Sequence, residues 1–170
     1  LLLDRIAEVS DCAAGLEKLV GGNYSVKQKM IAANLLKEMN VSQPLDTYVA
    51  CLTSEKCDAE LKELAVEILA ENANAVAEKV FPLINNADIT LKTYIAEILC
   101  NADKDDRTFE LLTELFETGN NIPLYAGYLG KYGDERSAAT LYKALDDCNY
   151  LEFIEIKNAI ERLGGVVDDE

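Results

Sequence analysis

The sequence contains no histidine and no tryptophan, and only three of its 170 residues are proline. Without histidine, a Ser-His-Asp or Cys-His catalytic arrangement is excluded, and a zinc ion would have only cysteine and carboxylate ligands. We find neither the G-x-x-x-x-G-K-[ST] pattern of phosphate-binding loops nor the ligand spacing of calcium-binding EF-hands. The sequence therefore predicts no catalytic residue, no cofactor and no metal site.

Long apolar runs are also missing. The longest runs are only a few residues, too short for a membrane-spanning helix, so we predict no membrane partner. The first three leucines are followed at once by Asp4 and Arg5, unlike the basic start and apolar stretch of a signal peptide. Because no initiator methionine is present, we expect this sequence to be part of a larger chain. If it is not, we expect the protein to be a monomer.

Basic residues are scarce, with 16 Lys and Arg against 31 Asp and Glu and a formal charge of −15. This charge repels nucleic acid unless basic side chains gather on one face, and the closest such group is only Lys27 and Lys29. The sequence therefore predicts no nucleic-acid partner and favours a basic protein or peptide. The alternative is that the acidity only keeps the protein in solution.

Five cysteines are present, an odd number at wide spacings. This usage is typical of reduced thiols in a cytoplasmic protein and not of a disulfide framework. Cys51 and Cys57 are the only close pair, with five residues between them. Cys100 lies in an apolar stretch, where we expect it to pack as a small hydrophobic residue.

Nearly the same eight letters occur twice, as AVEILAEN at 65–72 and IAEILCNA at 95–102. In both segments the apolar residues fall at i, i+3, i+4 and i+7, as in Leu61, Leu64, Ala65 and Ile68, which predicts a helix with one apolar face. Similar patterns continue along the chain and give about ten helices with a period near thirty residues. The sequence therefore predicts an all-α fold of about five antiparallel helix pairs, stacked to bury a continuous core.

The segment Tyr128–Asp134 (YLGKYGD) is similar to the A-L-G-x-L-G-D ending of short HEAT repeats of the phycobilisome-lyase type. Ala159–Gly165 is a looser copy, and Asp134–Asp147 resembles the helix that opens the next repeat of that family. The resemblance implies a right-handed α-α superhelix, a HEAT-like solenoid whose second helices line a concave surface. We expect a single domain over 1–170, with divergent repeats at 1–57, more regular repeats at 58–165 and an acidic tail at 166–170.

Proteins with such repeats mostly bind other proteins, and we expect the outward positions of the second helices to form the binding surface. Tyr125 lies off the apolar stripe, so we expect it to be an exposed aromatic contact, whereas Tyr128, Tyr132 and Tyr142 should pack inward. A merely solvated face is the alternative interpretation. The candidate partner-binding residues are Glu63, Glu67, Lys92, Glu97, Tyr125, Glu155 and Asn158.

The function predicted from these features is a non-enzymatic, cytoplasmic scaffold that binds a protein or peptide. The resemblance also leaves open an enzyme or enzyme subunit, either bilin-lyase-like or, less in keeping with the acidic charge, DNA-glycosylase-like. A structural spacer within a larger protein is a third alternative.

Overall fold

The computed structural model describes residues 2–39 and 41–167, with side chains from residue 11 onward. This part of the chain is all-α and contains no strand, which confirms the predicted fold class. None of its helices is long and apolar enough to span a membrane. In chain order the helices are α1 (Leu2–Gly21), α2 (Val26–Glu38), α3 (Leu45–Thr53), α4 (Ala59–Glu71), α5 (Ala73–Val80), α6 (Ile89–Leu99), α7 (Asp106–Glu117), α8 (Ile122–Tyr132), α9 (Ser137–Ala144) and α10 (Tyr150–Arg162).

By its internal contacts the chain divides into two compact units, residues 1–69 and residues 70–170. In the first unit α1 packs against α2, and α4 buries its predicted apolar stripe completely. The helix starts as its sequence predicts, because Asp58 accepts a hydrogen bond of 3.0 Å from the backbone N–H of Leu61. The apolar spacing of α1 predicts that Leu3, Ile6 and Val9 face inward, but these residues lie outside the described side chains.

The buried face of α2 differs from our prediction. We expected Met30, Ile31, Leu35 and Met39 to face inward, but Ile31 is 52% exposed and Leu35 41% exposed. The buried residues of this helix are Lys29, Ala32, Ala33 and Leu36. Two adjacent alanines allow a neighbouring helix to approach closely, so the face with smaller side chains is the one that packs.

In residues 70–170 the helices follow one another in contact, α5 with α6, α6 with α7, α7 with α8, and α9 with α10. Between α5 and α6 the chain forms a 3₁₀ segment at Phe81–Asn86 with Pro82 in its first turn, as the proline predicts. A second 3₁₀ segment, Leu145–Asp147, follows α9. The left-handed backbone of Gly119, Gly133 and Gly164 follows the ends of α7, α8 and α10, as we expect of a helix terminator.

Side chains about one sequence period apart contact each other within this second unit. Helix α8 packs most extensively on α10, where a Cβ added to Gly130 would lie only 2.8 Å from the Cα of Ala159. In the other direction, the Tyr125 hydroxyl lies 3.0 Å from the Thr93 hydroxyl on α6. These are the neighbours that stacked helix pairs would have, whereas the right-handed superhelix over the whole chain stays a prediction.

Candidate functional site

The strongest candidate site is an open groove of about 490 Å³ on the second unit, which we call the Tyr128 groove. One wall comes from the start of α8 and the other from Glu155 on α10. Its lining is mostly apolar and contains one carboxylate. The lining residues are Asn121, Pro123, Leu124, Gly127, Tyr128 and Glu155.

The local sequence of α8 builds this groove. Asn121 starts the helix by accepting a hydrogen bond of 3.4 Å from the backbone N–H of Leu124, and Pro123 fits the first turn, where no N–H partner is needed. Leu124, Gly127 and Tyr128 then share one face at i, i+3 and i+4. A Cβ on Gly127 would meet nothing within 4 Å, so the missing side chain leaves open space between Leu124 and Tyr128.

Tyr128 connects the groove to a carboxylate on α6. Its hydroxyl donates a hydrogen bond of 3.2 Å to Oε2 of Glu97. Burial, followed by the negative charge of Glu97, raises the pKa of Tyr128 far above its usual range, so the hydroxyl remains protonated. Glu97 and Glu155 are each half-buried. In the described part of the chain, neither forms an ion pair with a lysine or arginine.

The prediction for Tyr125 is wrong, because this residue is only 4% exposed. Its ring lies 6.4 Å from that of Tyr128, and its hydroxyl bonds to Thr93. Helix α8 packs against more than one neighbouring helix, so more than one of its faces is buried. The spacing of apolar residues predicted only one buried face, and Tyr125 lies on another. Tyr132 is buried as expected, whereas Tyr142 is 40% exposed, contrary to expectation.

The other predicted residues of this unit do not line the groove. The ammonium group of Lys92 lies 2.7 Å from Oε1 of Glu114 on α7, so this side chain connects α6 to α7. Asn158 is exposed on α10 but does not line the Tyr128 groove. Of the predicted residues in this unit, the structure therefore places Glu155 in the groove and Glu97 beside it.

Glu63 and Glu67 line a groove of about 350 Å³ in the first unit, the Glu63 groove. The rest of its lining is Met30, Asn34, Glu60 and Leu64. Glu67 pairs with Lys37 at 2.6 Å. The Glu63 groove is thus more polar than the Tyr128 groove, with two apolar side chains beside three carboxylates, one of which is already paired.

A feature that our sequence analysis missed is a repeated arrangement of arginine, phenylalanine and aspartate. The Arg107 guanidinium lies 3.7 Å from the centre of the Phe81 ring and pairs with Asp105 at 2.8 Å. Arg136 repeats this arrangement one period later, 4.1 Å from the Phe109 ring. We call each set of one aspartate, one arginine and one phenylalanine an Asp-x-Arg bracket, because the aspartate stands two residues before the arginine. That spacing, occurring twice 29 residues apart at 105–107 and 134–136, is the signal that could have found it.

The first bracket borders a third groove of about 460 Å³, the Phe81 groove, between α5 with its 3₁₀ extension and α7. Two of its acidic side chains are already paired, Glu78 with Arg107 at 2.6 Å and Glu114 with Lys92 at 2.7 Å. Hydrogen bonds from Arg107 lower the pKa of Glu78 and of Asp105. Of its three acidic side chains only Glu110 lies outside these ion pairs, and it is exposed, whereas Glu155 in the Tyr128 groove is half-buried.

The chemistry available in these grooves is recognition through apolar contact and negative charge. The described residues hold no group of three or more His, Cys, Asp or Glu side chains that could bind a metal ion. Cys100 is buried, as predicted, and burial raises the pKa of its thiol to about 11. It therefore stays an unreactive thiol at neutral pH.

No protein-family model, no curated protein and no solved structure matches this chain. The resemblance of Tyr128–Asp134 to short HEAT repeats stays a prediction from the sequence.

Proposed function

We propose that this chain is a non-enzymatic scaffold that binds a basic segment of a protein or peptide, with the Tyr128 groove as its contact surface. The observation that carries the proposal is the pair of half-buried carboxylates, Glu97 and Glu155, at an open groove with an apolar floor. A partly desolvated carboxylate without a cationic partner gains from a lysine or arginine brought by a ligand. The apolar floor would receive an aliphatic or aromatic side chain of the same segment.

Charge over the whole second unit supports the same kind of partner. Residues 70–170 contain 20 acidic and 9 basic side chains, a net charge of −11. Four of the basic residues, Lys92, Arg107, Arg136 and Lys157, already form ion pairs with carboxylates of this unit. A basic segment is therefore attracted over long range, and this attraction weakens with salt.

The proposal is tested by selecting ligands from a displayed library of random twelve-residue peptides and measuring the affinity of the enriched peptides by fluorescence anisotropy. We expect enriched peptides to carry lysine or arginine together with at least one large apolar residue. Replacing Glu97 and Glu155 by glutamine should weaken binding by about threefold to tenfold, because each exposed charge pair is worth about 0.2–1 kcal/mol. Glutamine at 97 keeps an oxygen that can accept the Tyr128 hydroxyl.

Two further variants separate groove binding from general attraction to an acidic protein. Gly127→Leu fills the open space in the groove with a residue that favours helix, and it should weaken binding by more than tenfold. The matched control, Glu117→Gln with Glu135→Gln, removes the same charge from exposed positions outside the groove. Peptides without positive charge, or equal affinity for Gly127→Leu and the native chain, would contradict the proposal.

A further inference from the structure

A small pocket of about 240 Å³ in the first unit brings two of the five cysteines together. Cys51 lies in the last turn of α3, and Cys57 lies in the loop that precedes α4. Two lysines, Lys29 and Lys56, line the same pocket. The cluster is separate from the Glu63 groove, with which it shares no lining residue.

The loop after α3 folds Cys57 back toward Cys51 through hydrogen bonds to Ser54. The Ser54 N–H donates to the Cys51 carbonyl at 3.2 Å, and the Cys57 N–H donates to the Ser54 carbonyl at 3.3 Å. The Ser54 hydroxyl oxygen also accepts a hydrogen bond of 3.2 Å from the Lys56 N–H. As a result, the loop turns Cys57 back toward the end of α3, and both cysteines line the same small pocket.

The two sulfurs differ in accessibility. Cys51 is only 5% exposed, whereas Cys57 is half-buried in a loop and opens on the pocket. A small oxidant can therefore reach Cys57 first, while Cys51 lies behind it as a partner thiol. This is the arrangement expected of an accessible thiol beside a resolving one.

Positive charge lies close to the two cysteines. Lys29 is 5% exposed, and no carboxylate of the described residues pairs with it. A thiolate in the pocket would place negative charge close to this buried ammonium group, which is favourable in a desolvated site. Lys62 and Lys29 both favour the Cys51 thiolate, although burial outweighs them and raises the pKa of Cys51 overall.

We propose that Cys51 and Cys57 form a redox-active dithiol, which a hydroperoxide converts to an intramolecular disulfide. In the first step the Cys57 sulfur attacks one peroxide oxygen, the O–O bond breaks, and sulfenic acid and water form. In the second step the Cys51 sulfur attacks the Cys57 sulfur, the S–O bond breaks, and a second water leaves with the thiol proton. Two thiols are oxidised by two electrons, hydrogen peroxide is reduced to two water molecules, and a small dithiol reverses the reaction. The disulfide would tie the end of α3 to the loop before α4.

The test treats the full reduced chain with a small excess of hydrogen peroxide, blocks remaining thiols with N-ethylmaleimide after denaturation, and digests with trypsin. Trypsin cuts after Lys56, so the disulfide joins two separate peptides, 38–56 and 57–62. We expect this linked pair to be the main oxidised species, and the alkylated thiols of the five-cysteine chain to fall by two. Dithiothreitol should restore all of them.

Two variants make the result specific. Cys57→Ser should abolish the loss of two thiols, whereas Cys12→Ser, which alters an exposed cysteine outside the pocket, should leave the 38–56 and 57–62 linkage intact. The crosslinker dibromobimane, which becomes fluorescent only when it bridges two nearby thiols, should label the native chain and not Cys57→Ser. Disulfides that join other cysteines, or oxidation of Cys57 to sulfinic acid without a bridge, would overturn the proposal.

Discussion

Gly127 and Gly130 lie one turn apart on α8 and have opposite surroundings. A Cβ on Gly130 would lie 2.8 Å from the Cα and 3.0 Å from the Cβ of Ala159. Since the first of these contacts involves the backbone of α10, no side-chain rotation could relieve it. Gly127 faces open space in the Tyr128 groove. Their spacing within one helix predicts close packing for both glycines, but only Gly130 has a close neighbour.

Alanine at each position should therefore change the free energy of unfolding in opposite directions. Gly130→Ala should destabilise the chain by about 1–3 kcal/mol, because α8 and α10 must move apart. Gly127→Ala should stabilise it by about 0.5–1 kcal/mol, because alanine restricts the unfolded chain and favours helix. Urea unfolding followed by circular dichroism measures both. Equal effects of the two substitutions would contradict the close approach of the two helices.

Single-residue chemistry also shows which parts of the fold the sequence could predict. Asp58, Asp88 and Asn121 accept hydrogen bonds at helix starts, as their residue types indicate, because capping depends on neighbouring backbone alone. The burial of Tyr125 and the exposure of Ile31 depend on which helices lie nearby. Apolar spacing identifies a stripe on a helix, but it does not reveal that a second stripe is covered.

At the scale of helices, the Asp-x-Arg brackets hold the start of one helix to an earlier one. Asp105 accepts hydrogen bonds from the Arg107 backbone N–H at 2.8 Å and from its Nε at 3.0 Å. Asp134 does the same for Arg136, at 3.0 Å in both cases. Each arginine also pairs with an acidic residue of a preceding odd-numbered helix, Arg107 with Glu78 on α5 and Arg136 with Asp106 on α7. Asp105 therefore caps the start of α7, and Asp134 closes the turn that precedes α9. In both brackets the aspartate also orients the arginine toward the earlier helix.

These brackets predict a specific loss of stability in acid. The arginine hydrogen bonds lower the pKa of Asp105 and of Asp134 in the folded chain. A lowered folded pKa contributes stability above the unfolded value, about 3.9 for aspartate, and that contribution is lost as pH falls through the folded pKa. The free energy of unfolding should therefore decrease from about pH 4 downward, and only modestly, because the arginine partners are about half exposed and solvent screens these pairs.

Replacing Asp105 and Asp134 by asparagine tests this directly, since asparagine can still cap a helix but carries no charge. The double variant should lose less stability between about pH 4 and pH 2 than the native chain. The double variant Arg107→Gln with Arg136→Gln removes the hydrogen bonds that lower the pKa of the two aspartates. Its free energy of unfolding should therefore also change less between about pH 4 and pH 2 than that of the native chain. Parallel curves of unfolding free energy against pH for all three proteins would exclude the brackets as the source.

At the scale of the molecule, the sequence period and the contacts of residues 70–170 describe the same arrangement. Glu97 contacts Tyr128, and Glu78 contacts Arg107, over separations of 31 and 29 residues. Contacts between residues about thirty apart are what the period of the repeated octets predicts, since equivalent helices would bury equivalent faces. The stacked superhelix itself stays a prediction. The groove could be predicted only in part, since Glu97 and Glu155 were expected from outward positions on their helices. The open space at Gly127 depends on how α8 and α10 are placed relative to each other. The residue pattern of a single helix carries no information about that placement.

Amide chemical-shift mapping of the isotopically labelled full chain with a selected basic peptide tests most directly whether the Tyr128 groove is the binding surface. If the peptide binds in the Tyr128 groove, the largest shifts cluster at Leu124, Gly127 and Tyr128 on α8 and at Glu155 on α10, and they disappear in Gly127→Leu. Shifts spread evenly over acidic residues, or confined to the Phe81 or Glu63 groove, would contradict the Tyr128 groove as the binding surface.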